Sequence, residues 1–561
     1  MESTNVAEAL ADAFVAEEVD SIFAYLGDGN MHFVPALVSR GVSAYSTRHE
    51  NWAVAMADGY FRRTGRIGVA SVTCGPGLTQ IATSLMVARR RNAPLVILAG
   101  ETPRIAPDSQ LQWFEQRPFV EASGATYISP RSVETIPTEV HEAFYRARTS
   151  PGPVVIAVPV DFQSALRPAD WDYETSRPLV TVAHSRPGDA EIARAAAALA
   201  AAERPVIVVG RGGTAADVPE AIEGLAEEAG ALLATTLPEV GLFDGNPYAL
   251  GVCGGYCSIT ARPLIEGADL MLAIGAGLNF FTTENGRLFS GAEVITVNSD
   301  ERLLVNGARR PDQALVGDAG STVAALREAI QAAPRVSPGY RTEATRTALE
   351  PDPRPIELAA EPATVEDGAV DPREFLVEID DSLPDDCVVV SGVGHFGYFP
   401  PRFLRWTRGR QLIQTSDFGV IGQGISTAMG AALAERTPTV VFEGDASAMM
   451  ALQELDTAAR YEAPLLIVVM NDNALGAELH RVQDDPVAYE LMQVRTPDLA
   501  EVARSFGFVG ERIDSLGTAA AAIEAWARDP RPTLLDVQVS RQVINPNLLK
   551  LIHKAPELEH A

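Results

Sequence analysis

Thr439-Val440-Val441-Phe442-Glu443-Gly444-Asp445-Ala446-Ser447 is a short apolar run that breaks into an acidic glycine turn. Leu452, Leu455 and Ala459 follow at helical spacing, so the stretch reads as a strand, a tight turn and a helix start. Backbone N–H groups at such a helix start suit phosphate oxygens, and an acidic side chain beside them suits a hard divalent cation that bridges to phosphate. A second apolar run, Leu465 to Met470, ends in Asn471-Asp472-Asn473-Ala474, and Asp472 lies 27 positions after Asp445. In a parallel sheet that interval is one strand–helix–strand step. Both acidic tips are then expected at the carboxyl edge of neighbouring strands, where α/β sheets bind ligands. A lone Gly-Asp-Ala would serve equally well as a helix cap; the second strand end favours metal and phosphate.

The same alternation of apolar runs and helix-period segments extends along the chain. Ile67 to Val72, Leu95 to Ala99 and Val154 to Val160 read as buried parallel strands of a first α/β unit, residues 1–165. Acidic, Pro and Ser residues interrupt the pattern at 170–187. An Ala-rich helix, Ala190 to Ala202, then leads into Pro205 to Val209, Leu270 to Ile274 and Val294 to Val297, a second unit over 188–333. A Pro-, Thr- and Glu-rich stretch at 334–368 reads as a linker. The third unit, 369–545, adds Val388 to Val390 and Leu412 to Gln414 to the two strands above, before a tail at 546–561. The predicted fold class is α/β, with three doubly wound parallel-sheet domains.

With 561 residues, 47% of them hydrophobic, the chain is too long for one core and apolar enough for several. A formal charge of −29 opposes binding to phosphate backbones and anionic membranes, so nucleic acid and membrane are excluded as partners. Four cysteines, Cys74, Cys253, Cys257 and Cys387, are too few to staple the chain, and Cys253 and Cys257 lack a second ligand pair for zinc. The first 14 residues carry Glu2, Glu8 and Asp12 and match no signal peptide, so a cytoplasmic location is expected.

On these motifs the chain resembles, over essentially its whole length, the thiamine-diphosphate enzyme family of acetolactate synthases, pyruvate decarboxylases and benzoylformate decarboxylases. The family's Gly-Asp-Gly and Asn-Asn motif stands here as Gly444-Asp445-Ala446 and Asn471-Asp472. The resemblance implies that Asp445, Asp472 and the Ala474 carbonyl hold Mg²⁺ against the diphosphate, with Ser447, Leu475 and Gly476 beside it. Arg48-His49-Glu50, followed by Ala53, Ala57-Asp58-Gly59-Tyr60 and Thr64-Gly65, matches the run around the family's catalytic glutamate, making Glu50 the expected activator. A carboxyl group there hydrogen-bonds the aminopyrimidine ring and so lets its nitrogen take the thiazolium C2 proton; the cofactor carries the hard step and the protein orients it. By itself, Glu50 would be only a favourable charge at a helix start.

Weaker matches are Thr73 and Gly75 in Val72-Thr73-Cys74-Gly75-Pro76-Gly77, and Gly419-Val420-Ile421-Gly422, where Ile421 would be the wedge between the cofactor rings. Gly394-His395-Phe396 falls at the family's diphosphate contact. The resemblance also implies that the 1–165 unit binds the pyrimidine and the 369–545 unit the diphosphate. Glu50 and the Asp445 loop would then meet across a subunit interface in a homodimer or tetramer.

The branch of the family is left open. Tyr25-Leu26-Gly27-Asp28-Gly29-Asn30 resembles the decarboxylases' Gly-Asp-Phe-Asn loop, and Glu478 falls at their second active-site carboxylate, so Asp28 and Glu478 are expected to share proton delivery. Their adjacent His-His pair has no counterpart, the region reading Gln110-Leu111-Gln112-Trp113-Phe114-Glu115-Gln116, in which Gln112 is a substrate-side candidate. Ile274-Gly275-Ala276-Gly277-Leu278-Asn279 replaces the synthases' Gly-Ala-Arg-Phe-Asp-Asp, which argues against FAD, and Arg481 stands at their acceptor-pocket Trp. Gly210-Arg211-Gly212-Gly213 reads as a strand-to-helix turn rather than a flavin loop. His480 is a candidate proton shuttle or substrate anchor, with a packing histidine as the alternative, and Arg481 a partner for a substrate carboxylate. The expected function is decarboxylation of a 2-oxo acid followed by protonation or by carboligation to an aldehyde or second 2-oxo acid. Acetolactate synthesis from two pyruvates and a catalytically silent regulatory homologue are the alternatives.

Overall fold

A computed structural model describes residues 5–179, 185–299, 310–332 and 337–548. Three six-stranded sheets, parallel at every named pairing, carry the fold. The first holds β1 (Ser21–Ala24), β2 (Ser43–Ser46), β3 (Gly68–Val72), β4 (Leu95–Glu101), β5 (Thr126–Ile128) and β6 (Pro153–Pro159), in the order β2-β1-β3-β4-β6-β5. The second holds β7 (Pro205–Val209), β8 (Leu232–Thr235), β9 (Ala249–Val252), β10 (Leu270–Ile274), β11 (Glu293–Asn298) and β12 (Gln313–Val316), ordered β12-β11-β10-β7-β8-β9. The third holds β13 (Val388–Ser391), β14 (Gln411–Gln414), β15 (Thr439–Gly444), β16 (Leu465–Asn471), β17 (Val509–Ile513) and β18 (Thr533–Gln538), ordered β14-β13-β15-β16-β18-β17.

The first and third sheets thus share one strand order, and in each the direction of winding reverses between the first and third strands. In open α/β sheets the ligand crevice lies outside the carboxyl ends of the strands at such a reversal. The loops that leave β1 and β3 hold Gly27–Asn30 and Thr73–Gly77; those that leave β13 and β15 hold Gly394–Phe396 and Gly444–Ser447. Topology alone therefore accounts for about half of the sequence-predicted site residues. In the second sheet the reversal falls between β7 and β10. There the loops pack backbone on backbone: a Cβ on Gly210 would sit 2.6 Å from the Gly275 carbonyl oxygen.

The chain divides into two compact units. One comprises Met1–Thr181, Cys387–Gly397 and Ile413–Arg541, and contains the first sheet and most of the third; the other comprises Val182–Asp386, Tyr398–Leu412 and Gln542–Ala561, around the second sheet. Within the first unit, the helix Glu50–Thr64 crosses the helix Gly424–Glu435 at two glycines. A Cβ on Gly59 would collide with the Thr427 carbonyl oxygen and one on Gly430 with that of Met56, so only glycine permits the backbones to approach this closely. Arg62, buried on the same helix, donates to Asp58 at 2.8 Å and to Asp417 at 2.9 Å, which neutralises it at this contact.

The strands read from the sequence fall where expected, within two residues at their ends. The Ala-rich helix runs Asp189–Ala201. In the 334–368 stretch, residues 334–336 lie outside the described residues; beyond them are two short helices, Glu343–Leu349 and Pro353–Ala360. Of the 546–561 tail, residues 549–561 lie outside the described residues. All four cysteines are buried. Among the described residues no helix is long and apolar enough to cross a membrane.

Candidate active site

β15 and β16 pair in parallel with Gly444 opposite Met470, which sets Asp445 and Asn471 side by side as the chain leaves the sheet. Asp445 opens the helix Asp445–Met450. Ala446 lies inside that helix at ordinary dihedrals, so the position needs no glycine, and alanine favours the helix. After β16 the chain turns at Asn473, whose φ of 52° is left-handed and tolerable for asparagine. The Ala474 N–H donates to Asp472 Oδ1 at 3.0 Å, and Asn471 turns away to brace Asp536 at 2.8 Å.

Asp445 and Asp472 are both buried, and their charges repel. Burial, then the charge on Asp472, pushes the Asp445 carboxyl up to about 7. Burial pushes Asp472 up to about 6, against the Ala474 N–H and the Arg541 guanidinium. Asp445 Oδ2 is buried without a hydrogen-bond partner. Two desolvated carboxylates with an orphaned oxygen fit a hard divalent cation, which prefers oxygen ligands and would remove the repulsion. Among the described residues no three His, Cys, Asp or Glu side chains gather for a metal. Such a cation would hence draw its other ligands from a main-chain carbonyl such as that of Ala474, from water and from the ligand. Arg541 Nη2 donates to the Asp472 carbonyl at 2.7 Å and stiffens the turn.

The β13 loop closes the other side of the crevice. The Phe396 ring lies against both Gly394 and Gly444, where a Cβ would come within 2.7 and 2.8 Å of it. His395 is buried against His480, ring centroids 4.6 Å apart. Burial, then the neighbouring imidazole, holds His395 down at about 3, so it is neutral at physiological pH and can give a ligand a hydrogen bond but no charge. A Cβ on Gly476 would sit 2.6 Å from Asp472 Oδ2 and 3.1 Å from His395 Cβ, which explains the glycine. His480 is buried, its Nδ1 bonded to Gln483 at 3.0 Å and its Nε2 without a partner. Glu478 and Arg481 are exposed on the same short turn, and Leu475 is half-buried.

In the first domain, Glu50 begins its helix behind His49, whose Nδ1 accepts from the Asn51 N–H at 3.0 Å. The Glu50 side chain is 12% exposed, and one of its oxygens comes 3.5 Å from where a Gly77 Cβ would stand. Thr73 Oγ1 accepts from the Gly29 N–H at 3.0 Å, tying the Asp28 loop to the β3 loop. Gly75 has a φ of 58° and lies against Gln112; the Cys74 thiol donates to Gln112 Oε1 at 2.8 Å. Asp28 is exposed beside this cluster.

The two clusters are joined in part by residues that no contiguous motif marks, Gln423, Ser84 and Asn51. The Gly422 N–H, directly after Ile421, donates to Ser447 Oγ at 2.6 Å, and that hydroxyl donates to Glu443 Oε1 at 2.7 Å. Ser447 therefore leaves only its backbone N–H for an oxyanion. Gln423 Nε2 donates to Ser84 Oγ at 2.9 Å, and Ser84 bonds Asn51 twice. Trp52 packs 3.4 Å from the Cβ position of Gly422, and the Arg48 N–H donates to Glu454 at 2.9 Å. These hydrogen bonds join helices and loops of the first and third sheets within one compact unit.

Residues 4–121, 192–326 and 392–537 match, in turn, the N-terminal TPP binding domain, the central domain and the C-terminal TPP binding domain of the thiamine pyrophosphate enzymes. The chain belongs to the thiamine pyrophosphate enzyme family. Within it, the chain is similar to acetolactate synthases. It is 30% identical to the acetolactate synthase isozyme 2 large subunit of Escherichia coli, over 95% of both chains. It is 30% identical to the acetolactate synthase large subunit of Parasynechococcus marenigrum, over 95% of this chain and 87% of that one. With the probable chloroplastic acetolactate synthase 2 of Oryza sativa subsp. japonica it shares 29% over 96% of this chain and 83% of the relative.

Proposed function

We propose that the chain binds thiamine diphosphate with Mg²⁺ and decarboxylates a 2-oxo acid, then protonates the product carbon or joins it to a second carbonyl compound. The observation that carries the reading is the buried Asp445–Asp472 pair with its orphaned oxygen. The cofactor, when bound, supplies the electron sink for loss of CO₂. Asp445, Asp472 and Ala474 hold the cation; Gly394, His395, Phe396, Gly444, Ala446, the Ser447 N–H, Leu475 and Gly476 line the diphosphate. Gly419 and Ile421 would pack against the bound cofactor, Thr73 and Gly75 would border its pyrimidine, and Glu50 would hold and return a proton there. Asp28 and Glu478 deliver a proton to the product carbon, His480 serves them as a shuttle, and Gln112 and Arg481 orient substrate. In this reading residues 1–165 are the pyrimidine-binding domain and 369–545 the diphosphate-binding domain, in a cytoplasmic homodimer or tetramer.

Acetolactate synthesis from two pyruvates is the second reading, favoured by the names of the relatives above. A panel of 2-oxo acids, with and without aldehyde acceptors, assayed for CO₂ and for carbon–carbon products, tests both. Turnover of none of them, together with no thiamine-diphosphate binding by calorimetry, would leave a silent homologue instead.

A further inference from the structure

We infer that a cleft beside the turn after β16, between the helix Pro486–Leu491 and the exit of β18, binds a small oxyanion, a dicarboxylate or a phosphate. β16 and β18 pair with Asn471 opposite Gln538, so the two strands leave the sheet side by side. Beyond them the chain crosses back over the turn. The Leu475 N–H donates to the Met492 carbonyl at 2.8 Å, and the Val494 N–H to that of Asn473 at 2.9 Å. Asn473, Tyr489, Glu490, Gln493, Arg495 and Arg541 thereby come to line one cleft of about 890 Å³, within the size range of small-molecule sites.

The hydrogen bonds in the walls consume acceptors and leave donors. Asn473 Oδ1 accepts from the Thr496 N–H at 3.4 Å and from its hydroxyl at 3.5 Å, and Gln493 Oε1 accepts from Arg541 Nη1 at 3.2 Å. Both amides are thus oriented by their oxygens, and each keeps its NH₂ for another partner. Arg541 Nη2 donates to the Asp472 main-chain carbonyl, so this guanidinium is held by two neutral oxygens. Among the described residues the Asn473 and Gln493 amide nitrogens, the Arg495 guanidinium and the Tyr489 hydroxyl meet no acceptor, and no carboxylate pairs with either arginine. Glu490 is the one acid in the lining and is exposed. Two guanidinium charges against one carboxylate make the cleft locally positive on a chain whose formal charge is −29. Planar guanidinium forks supported by amide N–H groups match the oxygens of a carboxylate or phosphate. Arg495 and Arg541 stand 46 positions apart, so neither marks the other in the sequence.

Calorimetry with succinate and with inorganic phosphate tests the inference, at low chloride because salt screens exposed charges. Both anions are titrated into the cofactor-free protein and into protein saturated with Mg²⁺ and thiamine diphosphate, at constant free Mg²⁺. At least one should bind both forms with a dissociation constant near or below about 1 mM. The tighter anion tells a carboxylate ligand from a phosphate. Arg495→Met should weaken binding about tenfold or more, the yield of a charged hydrogen bond, and Arg495→Lys, which keeps the charge but not the fork, should recover only part of the loss. Gln493→Glu, which sets a carboxylate against Arg541 inside the cleft, should abolish binding. Both positions are exposed, and an unchanged denaturant midpoint checks that each variant is folded. Binding of neither anion, an affinity indifferent to Arg495→Met, or binding lost once the cofactor is loaded overturns the inference. If the cofactor itself does not bind, the function proposed above fails separately, and the cofactor-free titrations still decide for the cleft.

Discussion

Binding of Mg²⁺ and thiamine diphosphate should strengthen as pH rises from 6 to 8, and the Asp445–Asp472 pair sets how steeply. Burial and mutual repulsion raise Asp445 from its ordinary 3.8 to about 7, and burial raises Asp472 to about 6. A carboxyl whose folded pKa exceeds its unfolded value holds its proton more tightly in the native chain. Without a cation, the pair therefore makes its stabilising contribution at low pH and loses it as pH rises from about 4 through about 7. A cation reverses the dependence, because it binds the carboxylates and must displace their protons. If one proton leaves per cation, the apparent association constant climbs about fivefold between pH 6 and pH 7 and less than about twofold more by pH 8. Asp445→Asn keeps the shape and removes the charge. Even at an effective dielectric of about 20, a carboxylate in contact with a divalent cation is worth several kcal/mol, so affinity should fall by roughly 10² or more. The pH slope should flatten with it. Calorimetric titration at pH 6, 7 and 8, in two buffers of different ionisation enthalpy, measures affinity and counts released protons together. An affinity flat across that range in the unmutated protein, with no proton released, would refute the assignment of the cation to this pair.

Glu50→Gln should leave the fold and cofactor binding intact and cut turnover by roughly 10²–10⁴, the range for a positioned acid–base group, read by steady-state kinetics beside a cofactor titration. Gly430→Ala should destabilise the chain by about 1–3 kcal/mol through overpacking against the Met56 carbonyl, seen as a lower denaturant midpoint; an unchanged midpoint would mean the two helices do not cross there. Glu478→Gln should lower aldehyde yield relative to hydroxyketone by chromatography when an aldehyde acceptor is present. Predominantly acetolactate from the unmutated protein, in a ratio indifferent to Glu478, would favour the synthase reading.

What the sequence made legible follows from where each signal resides. Central strands such as β4, β15 and β16 are buried on both faces and read as nearly unbroken apolar runs, so their places were evident. β17 is an edge strand carrying Glu511 and Arg512 to solvent, and β1 has only four residues; neither generates a period long enough to distinguish from loop. Asp445, Asp472 and Glu50 were legible because their chemistry is concentrated in contiguous motifs at strand or helix ends. The bonds between the first and third domains are not contiguous. Gln423 and Ser84 are 339 residues apart, and Gly59 and Gly430 explain each other only once two helices from different domains are laid together. Glu443 stands in the sequence as an acid at the end of an apolar run, and nothing local distinguishes an acid leaving a strand from one buried at its end. Its partners supply the distinction: a buried carboxylate whose space is vacated by two glycines and whose oxygen is met by a serine one helical turn away belongs to the sheet.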